Sequence, residues 1–177
     1  MIKAVIFDMD GIILDSEPFW KEVEIEIFNS LGVPLTPEMC ETTTGMRLVD
    51  VTKLWHSRYP WNEKEHSFDS VNAEIVEGLI KKIKEKGVMN NGVTELLEMF
   101  AAKKLPMAIA SSSDMNIIDA VLDKFDIRKY FKVIHSAENE KYGKPHPAIY
   151  LTAAEMLGVD PVNCLAIEDS FNGVVSA

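Results

Sequence analysis

The sequence has few cysteines and no long apolar segment. Its 177 residues include two cysteines, Cys40 and Cys164, which lie far apart and form no metal-ligand spacing. A small number of widely separated cysteines is typical of a reduced cytoplasmic protein with buried thiols. No apolar run is long enough to cross a bilayer, and the first residues resemble a strand rather than a signal peptide. We therefore expect a cytoplasmic protein that has no membrane partner.

The sequence also lacks an excess of basic residues. It contains 28 acidic residues against 18 lysines and arginines, which gives a formal net charge of −10. Because nucleic acids and anionic membranes are bound through clustered positive charge, neither is expected as a partner. A small anionic substrate is compatible with this balance, since a bound cation and one or two basic groups can outweigh the net charge within a site.

Four short apolar segments end in polar or acidic residues. They cover residues 4–7, 107–113, 132–138 and 164–170. Short segments rich in branched and aromatic residues are typical of strands buried in a parallel sheet, and helical patterns separate them. Strands that alternate with helices predict right-handed crossovers. We therefore predict an α/β fold with a Rossmann-like parallel sheet, formed by residues 1–14 and 87–177.

The first connection between strands is too long for a single crossover helix. Its first helical pattern follows Pro18 and ends at Gly32, and its last ends at Gly87. The last pattern repeats apolar residues every four positions, at Val71, Ile75, Leu79 and Ile83. We predict that residues 15–86 form an inserted, all-helical cap domain, which covers the carboxyl edge of the sheet as a lid.

Chemically active side chains follow the predicted strands. Taken singly, each is explained by a turn, a helix cap or a surface charge. Because the carboxyl ends of parallel strands meet at one edge of the sheet, together they predict a site for magnesium and phosphate. The residues are Asp8, Asp10, Ser111, Ser112, Lys144, Glu168 and Asp169.

These motifs resemble those of the haloacid dehalogenase superfamily. The stretch "DMDGIILDSE" is similar to its first motif, "IAS" to its second, "GKPHP" to its third and "IEDS" to its fourth. The resemblance extends over essentially the whole chain. It implies that Asp8 is a nucleophile, that Asp10 is the general acid and base, and that an aspartyl phosphate forms. It also implies that Ser111, Ser112 and Lys144 hold the phosphate and that Mg²⁺ is bound among Asp8, Asp10, Glu168 and Asp169.

The roles that the resemblance implies are physically reasonable. A carboxylate such as Asp8 can attack phosphorus only when the repulsion between anions is reduced, which magnesium and Lys144 can do. Asp10 lies two residues further along the chain and can face the same side. It can protonate the departing alkoxide and later accept a proton from the attacking water.

Sequence features in and around the predicted cap indicate which members of this superfamily the chain resembles most. The stretches "LDSEP", "GMRL" and "LWHSRYPWN" look most like the bacterial phosphatases of hexitol phosphates and of 2-deoxyglucose 6-phosphate, and more distantly like β-phosphoglucomutase. The mutases carry a histidine at the position of Trp20, and this departure favours hydrolysis. The implied activity is magnesium-dependent hydrolysis of small hexose, deoxyhexose or hexitol phosphates by a monomer. We expect Trp20 and Arg47 to contact the substrate, although a solvated surface arginine is equally compatible with the pattern.

Two alternatives to a phosphatase stay open. One is a phosphosugar mutase, and the other is a non-enzymatic phospho-receiver or binding module, which also groups aspartates, a hydroxyl and a lysine on a parallel sheet. The long insertion and the presence of Asp10 beside Asp8 disfavour the receiver.

The family pattern continues beyond the fourth motif, through a further strand and usually a final helix, whereas this sequence stops at "NGVVSA". We expect either that the sequence is a fragment or that the protein lacks this edge strand, and a missing strand would leave the apolar flank of "CLAI" uncovered.

Overall fold

Four parallel strands and eight α-helices make up the structure, a computed structural model that describes residues 1–177. The strands are β1 (Ala4–Phe7), β2 (Met107–Ser111), β3 (Phe131–Ser136) and β4 (Cys164–Ile167). The helices are α1 (Glu17–Ser30), α2 (Pro37–Glu41), α3 (Leu48–Arg58), α4 (Phe68–Lys86), α5 (Val93–Ala102), α6 (Met115–Lys124), α7 (Ala148–Leu157) and α8 (Phe171–Ser176). Three short 3₁₀ turns lie at Arg128–Tyr130, Ala137–Asn139 and Pro161–Asn163.

The sheet has the strand order β3-β2-β1-β4, and all three pairings are parallel. The predicted α/β class is confirmed. The chain runs outward from β1 to β3 and then crosses to the other side of β1 to form β4. This reversal places a crevice at the carboxyl ends of β1 and β4, which is where open α/β sheets bind ligands. Strand β4 pairs only with β1, and Leu165 on it is 38% exposed.

Helices α1 to α4 occupy the predicted insertion. Helix α1 begins beside Pro18, and the apolar residues that recur along α4 are all buried. The short helix α2 was not anticipated, and the Thr36 hydroxyl at its start accepts a hydrogen bond from the Met39 amide. Because these four helices follow one another between β1 and β2, we propose that residues 15–86 form the cap domain. No helix of the structure is both long enough and apolar enough to cross a membrane.

The two connections between cap and sheet lie side by side. Leu14 forms an antiparallel bridge with Met89, and the Asn90 amide donates to the Ile13 carbonyl at 2.9 Å. The side-chain amide of Asn90 donates to the carbonyls of Gly11 at 2.8 Å and Ile12 at 3.1 Å. The returning chain therefore holds the loop that follows β1.

A single apolar cluster runs from one face of the sheet into the cap. It joins Phe7 and Ile109 of the sheet to Trp55 and Leu79 of the cap, all of them fully buried or nearly so. A smaller cluster packs α7 against the opposite face of the sheet. Both cysteine thiols are free, with Cys40 buried and Cys164 half-buried. Because cap and sheet share one core, the position of the cap depends on side-chain packing as well as on the two linkers.

We expect Leu79→Ala to lower the free energy of unfolding by about 2 to 5 kcal/mol, because it leaves a cavity in the shared core. Leu151→Ala is the matched control, since Leu151 also lies on a helix but is 47% exposed, whereas Leu79 is fully buried. Urea denaturation of both variants measures the difference. Equal losses for the two variants would contradict the shared core.

Candidate active site

Asp8 lies at the floor of the crevice, directly after β1, and is buried. Its Oδ1 atom lies 2.9 Å from Nζ of Lys144, yet no hydrogen bond is directed at this oxygen. Burial raises the pKa of Asp8 to about 7, although the positive charge of Lys144 acts in the opposite direction. The strand therefore delivers a carboxylate oxygen that is close to a cation and free to accept another partner.

Lys144 connects the two sides of the crevice. Its side chain is 1% exposed, and its ammonium lies 2.9 Å from Asp8 and 2.6 Å from Oε2 of Glu168. Burial alone would lower the pKa of Lys144, but the two carboxylates outweigh that effect and raise it. The lysine is therefore held as a cation between two acidic groups.

Glu168 is fully engaged by hydrogen bonds. Its Oε2 atom accepts from Lys144 and from the Tyr150 hydroxyl at 2.5 Å, and its Oε1 atom accepts from the Ser170 hydroxyl at 2.9 Å. Burial would raise the pKa of Glu168, but Lys144 and these donors lower it. Tyr150 was missed from the sequence, because its position in α7 fitted the apolar pattern of a helix.

Three carboxylates approach one another at this floor. Oxygens of Asp8, Glu168 and Asp169 all lie within 4.8 Å of one another. No other side chain donates to the Asp169 carboxylate, and burial together with the negative charge of Glu168 raises its pKa. A set of carboxylate oxygens of this kind suits a hard cation such as Mg²⁺.

Two glycines make room for the acidic residues. A Cβ atom built at Gly11, whose φ is +73°, would overlap the Asp169 carboxylate. A Cβ atom at Gly173 would overlap the carboxylate of Glu168. The close approach of Asp169 to the loop after β1, and of Glu168 to α8, therefore depends on residues without side chains.

Asp10 lies beside this cluster but not within it, although the sequence predicted it as a fourth metal ligand. Its Oδ1 atom accepts hydrogen bonds from the Ser16 hydroxyl and from Nε1 of Trp20 at 3.3 Å. Its Oδ2 atom accepts from Ser113 at 2.6 Å and from Ser111 at 3.3 Å. Its carboxylate oxygens are therefore held by hydroxyl and indole donors from both cap and sheet.

Ser16 and Ser113 were not singled out from the sequence. Ser16 has the appearance of a helix cap before α1, but its side chain makes no capping hydrogen bond and donates to Asp10 instead. Ser113 lies within the predicted polar end of β2, where three consecutive serines are indistinguishable by type. The structure separates them: Ser111 and Ser113 reach Asp10, whereas the Ser112 hydroxyl donates to the Gly45 carbonyl of the cap at 2.9 Å.

Arg47 is not among the residues that line the crevice, and the substrate contact expected of it stays a prediction. Its guanidinium pairs with Asp50 in a two-point contact at 2.7 and 3.1 Å. It also donates to the carbonyls of Glu140 at 2.7 Å and Ala137 at 3.4 Å, which belong to the sheet domain. Its polar surroundings supply enough acceptors to hold it between cap and core, so it is a bridging residue in this arrangement.

The crevice forms a cavity of about 110 Å³ beneath the cap. Its floor consists of Asp8, Lys144 and Asp169, and Trp20 lies on its wall above Asp10. The cap end is lined by residues from α1, α2 and the loop that follows α2. The cavity therefore lies between the lysine and carboxylates at the edge of the sheet and the first helices of the insertion.

Known proteins resemble the chain over nearly its whole length. The family model of haloacid dehalogenase-like hydrolases matches residues 2–177. Hexitol phosphatase B of Escherichia coli (strain K12) is 38% identical over 177 residues, which cover 99% of this chain and 79% of that protein. The phosphorylated carbohydrates phosphatase of Thermotoga maritima is 31% identical over 183 residues, covering 99% of this chain and 80% of that protein.

Comparison with a solved structure shows that the similarity includes the fold. The β-phosphoglucomutase of Clostridium difficile superposes with a TM-score of 0.86 at 26% identity, covering 99% of this chain and 80% of that one. The likeness in sequence and in fold thus extends through both the sheet and the inserted helices. The chain belongs to the haloacid dehalogenase-like hydrolase family.

Proposed function

We propose that this hydrolase is a magnesium-dependent phosphatase of small sugar phosphates, including hexose, deoxyhexose or hexitol phosphates. The observation that carries the proposal is the buried Lys144 ammonium between the carboxylates of Asp8 and Glu168, at the floor of a cavity beneath the cap. The names of the hexitol and carbohydrate phosphatases to which the chain is similar support a phosphorylated carbohydrate as the substrate.

In this mechanism a carboxylate oxygen of Asp8 attacks phosphorus, and the bond from phosphorus to the sugar oxygen breaks. Lys144 lies at Asp8 Oδ1 and can offset charge on the transferred phosphoryl group. Water then attacks phosphorus in the aspartyl phosphate, which releases inorganic phosphate and restores the Asp8 carboxylate. Glu168 positions Lys144 in this scheme, because its carboxylate accepts hydrogen bonds from that ammonium and is itself held by the Tyr150 hydroxyl and the start of α8.

Asp10 supplies the proton transfers in the proposal. When protonated, it gives its proton to the departing alkoxide, and as a carboxylate it then accepts one from the attacking water. The hydrogen bonds from Ser113 and Trp20 fix its orientation. Trp20 itself carries no group that could exchange a proton, so water rather than a second sugar is the acceptor we propose for the phosphoryl group.

Magnesium would be held chiefly by Asp8 and Asp169. No other side chain donates to the Asp169 carboxylate and Asp8 Oδ1 lacks a directed donor, whereas both Glu168 oxygens are occupied. When bound there, the cation supplies positive charge that neutralises the phosphate oxygens and lowers the repulsion towards the nucleophile.

We expect Asp8→Asn to abolish steady phosphate release and the trapping of a phosphorylated enzyme, because an amide has nearly the same shape but is a poor nucleophile. Asp126→Asn is the control, since Asp126 is an exposed carboxylate that pairs only with Lys129. Phosphate release and intact mass after rapid acid quench measure both effects. A phosphorylated Asp8→Asn enzyme would remove Asp8 from this role.

The Asp10→Asn variant should lose activity according to the leaving group. We expect a loss of about 10² to 10⁴-fold with sugar phosphates, whose alkoxides need a proton, and a much smaller loss with p-nitrophenyl phosphate. The measurement is kcat/KM for both substrate types. Equal losses on the two would argue against proton donation by Asp10.

Metal dependence is tested with chelator and with Asp169→Asn. Excess EDTA should abolish activity, added Mg²⁺ should restore it, and Ca²⁺ should inhibit, because Ca²⁺ prefers more ligands and looser geometry. Asp169→Asn should raise the Mg²⁺ concentration needed for half-maximal activity, since one anionic ligand is lost. Full activity of the wild-type enzyme in EDTA would refute the metal role.

A further inference from the structure

Glu24 is a buried carboxylate at the cap end of the cavity. It lies on α1, is 6% exposed and lines the cavity together with Cys40 and Thr43. It is the only charged residue among the buried positions of α1, where Val23, Ile27 and Phe28 pack into the core. The sequence pattern does not distinguish Glu24, because a glutamate in an amphipathic helix normally faces solvent.

The surroundings of Glu24 supply neither a cation nor a strong hydrogen-bond donor for its buried carboxylate. No lysine, arginine or histidine forms an ion pair with it. The side-chain partner near it is the Cys40 thiol, which is a weak donor. Burial accordingly raises the pKa of Glu24 to about 7. An acidic group that is buried without a strong hydrogen-bond partner lowers the stability of the folded protein. Its presence at a cavity wall is explained if a bound ligand donates hydrogen bonds to it.

The position of Glu24 suits the tail of a substrate whose phosphate lies at the floor. Trp20 donates to Asp10, and Glu24 follows one helical turn later, about 6 Å along the helix axis. The nearby Lys21 is already paired with Glu17 and Glu41. Lys21 itself lines the cavity, but its ammonium is engaged by these two glutamates, so the cap end offers the Glu24 carboxylate without an ion-pair partner.

We propose that Glu24 is a specificity-determining residue that accepts hydrogen bonds from hydroxyl groups of the substrate tail and repels tails that carry a second anionic group. The inference rests on the proposed phosphatase function and specifies its substrate class: phosphate esters with a neutral, hydroxyl-rich tail. A carboxylate or a second phosphate at the far end would meet the ionised Glu24 carboxylate, and the cation beside it, Lys21, is already paired with Glu17 and Glu41.

The test uses two substrates that differ only at the far end of the chain. Sorbitol 6-phosphate ends in a neutral hydroxymethyl group, and 6-phosphogluconate ends in a carboxylate. p-Nitrophenyl phosphate serves as a generic ester that has no hydroxyl-rich tail. The full-length chain is assayed as wild type, Glu24→Gln, Glu24→Ala and Glu26→Gln, the last being a matched control because Glu26 is an exposed glutamate on the same helix.

The two variants separate charge from hydrogen bonding. Glu24→Gln removes the charge and keeps an acceptor, so the kcat/KM ratio of sorbitol 6-phosphate to 6-phosphogluconate should fall by about tenfold or more. Glu24→Ala also removes the acceptor, so the ratio of sorbitol 6-phosphate to p-nitrophenyl phosphate should fall by about the same factor. Both ratios should stay at the wild-type value in Glu26→Gln.

Three results overturn parts of the scheme in distinguishable ways. Wild-type ratios in both Glu24 variants, or equal losses on all three substrates, would reject Glu24 as a specificity residue while leaving the phosphatase function intact. If the wild-type enzyme hydrolyses none of the three esters in the presence of Mg²⁺, the proposed function itself fails. If Glu24→Ala does not fold, the nearly isosteric Glu24→Gln decides the inference through the first ratio alone.

Discussion

The ion pairs of Lys144 with Asp8 and Glu168 are the interaction on which the site depends. Three charged groups are withdrawn from water at the junction of β1 and β4, and such groups are tolerated only when each is matched and hydrogen-bonded. Tyr150 and Ser170 supply the remaining donors to Glu168. Removing one member would leave the others uncompensated, so the loops after both strands are held in one arrangement.

Contacts between the cap and the sheet also hold the residues above the cavity floor in place. The linkers pair beside the Asp10 loop through Asn90, and Arg47 joins α3 to carbonyls that follow β3. Trp20 and Ser16 at the start of α1 then reach the Asp10 carboxylate. The acid of the proposed mechanism is thus oriented by the same element that closes the cavity, which links substrate enclosure to the position of the proton donor.

The cavity has opposite electrostatic requirements at its two ends. The floor holds a cation, Lys144, and a carboxylate cluster suited to Mg²⁺, and with that ion bound it would favour the anionic phosphate of the proposed substrate. The cap end presents Glu24 without a paired cation, so it favours neutral hydroxyl groups. A molecule with one anionic end and one polyol end satisfies both requirements, and the proposed substrate class follows from that asymmetry.

Local sequence patterns were sufficient to predict the parallel sheet. Short apolar runs that end in carboxylates reflect the burial of the strands and the edge of the sheet at which parallel strands end. The convergence of Asp8, Lys144, Glu168 and Asp169 followed from that rule, whereas the side-chain direction of Arg47 did not. The positions of Ser16, Tyr150 and Glu24 depended on which face of a helix packs against another part of the chain. The sequence by itself determined the order of the strands and of the longer helices and the residues at the strand ends, since these depend on periodicity and local chemistry. Only the tertiary structure decided which helix residues face the cavity, because that depends on how the cap packs on the sheet through a core shared by residues far apart in the chain.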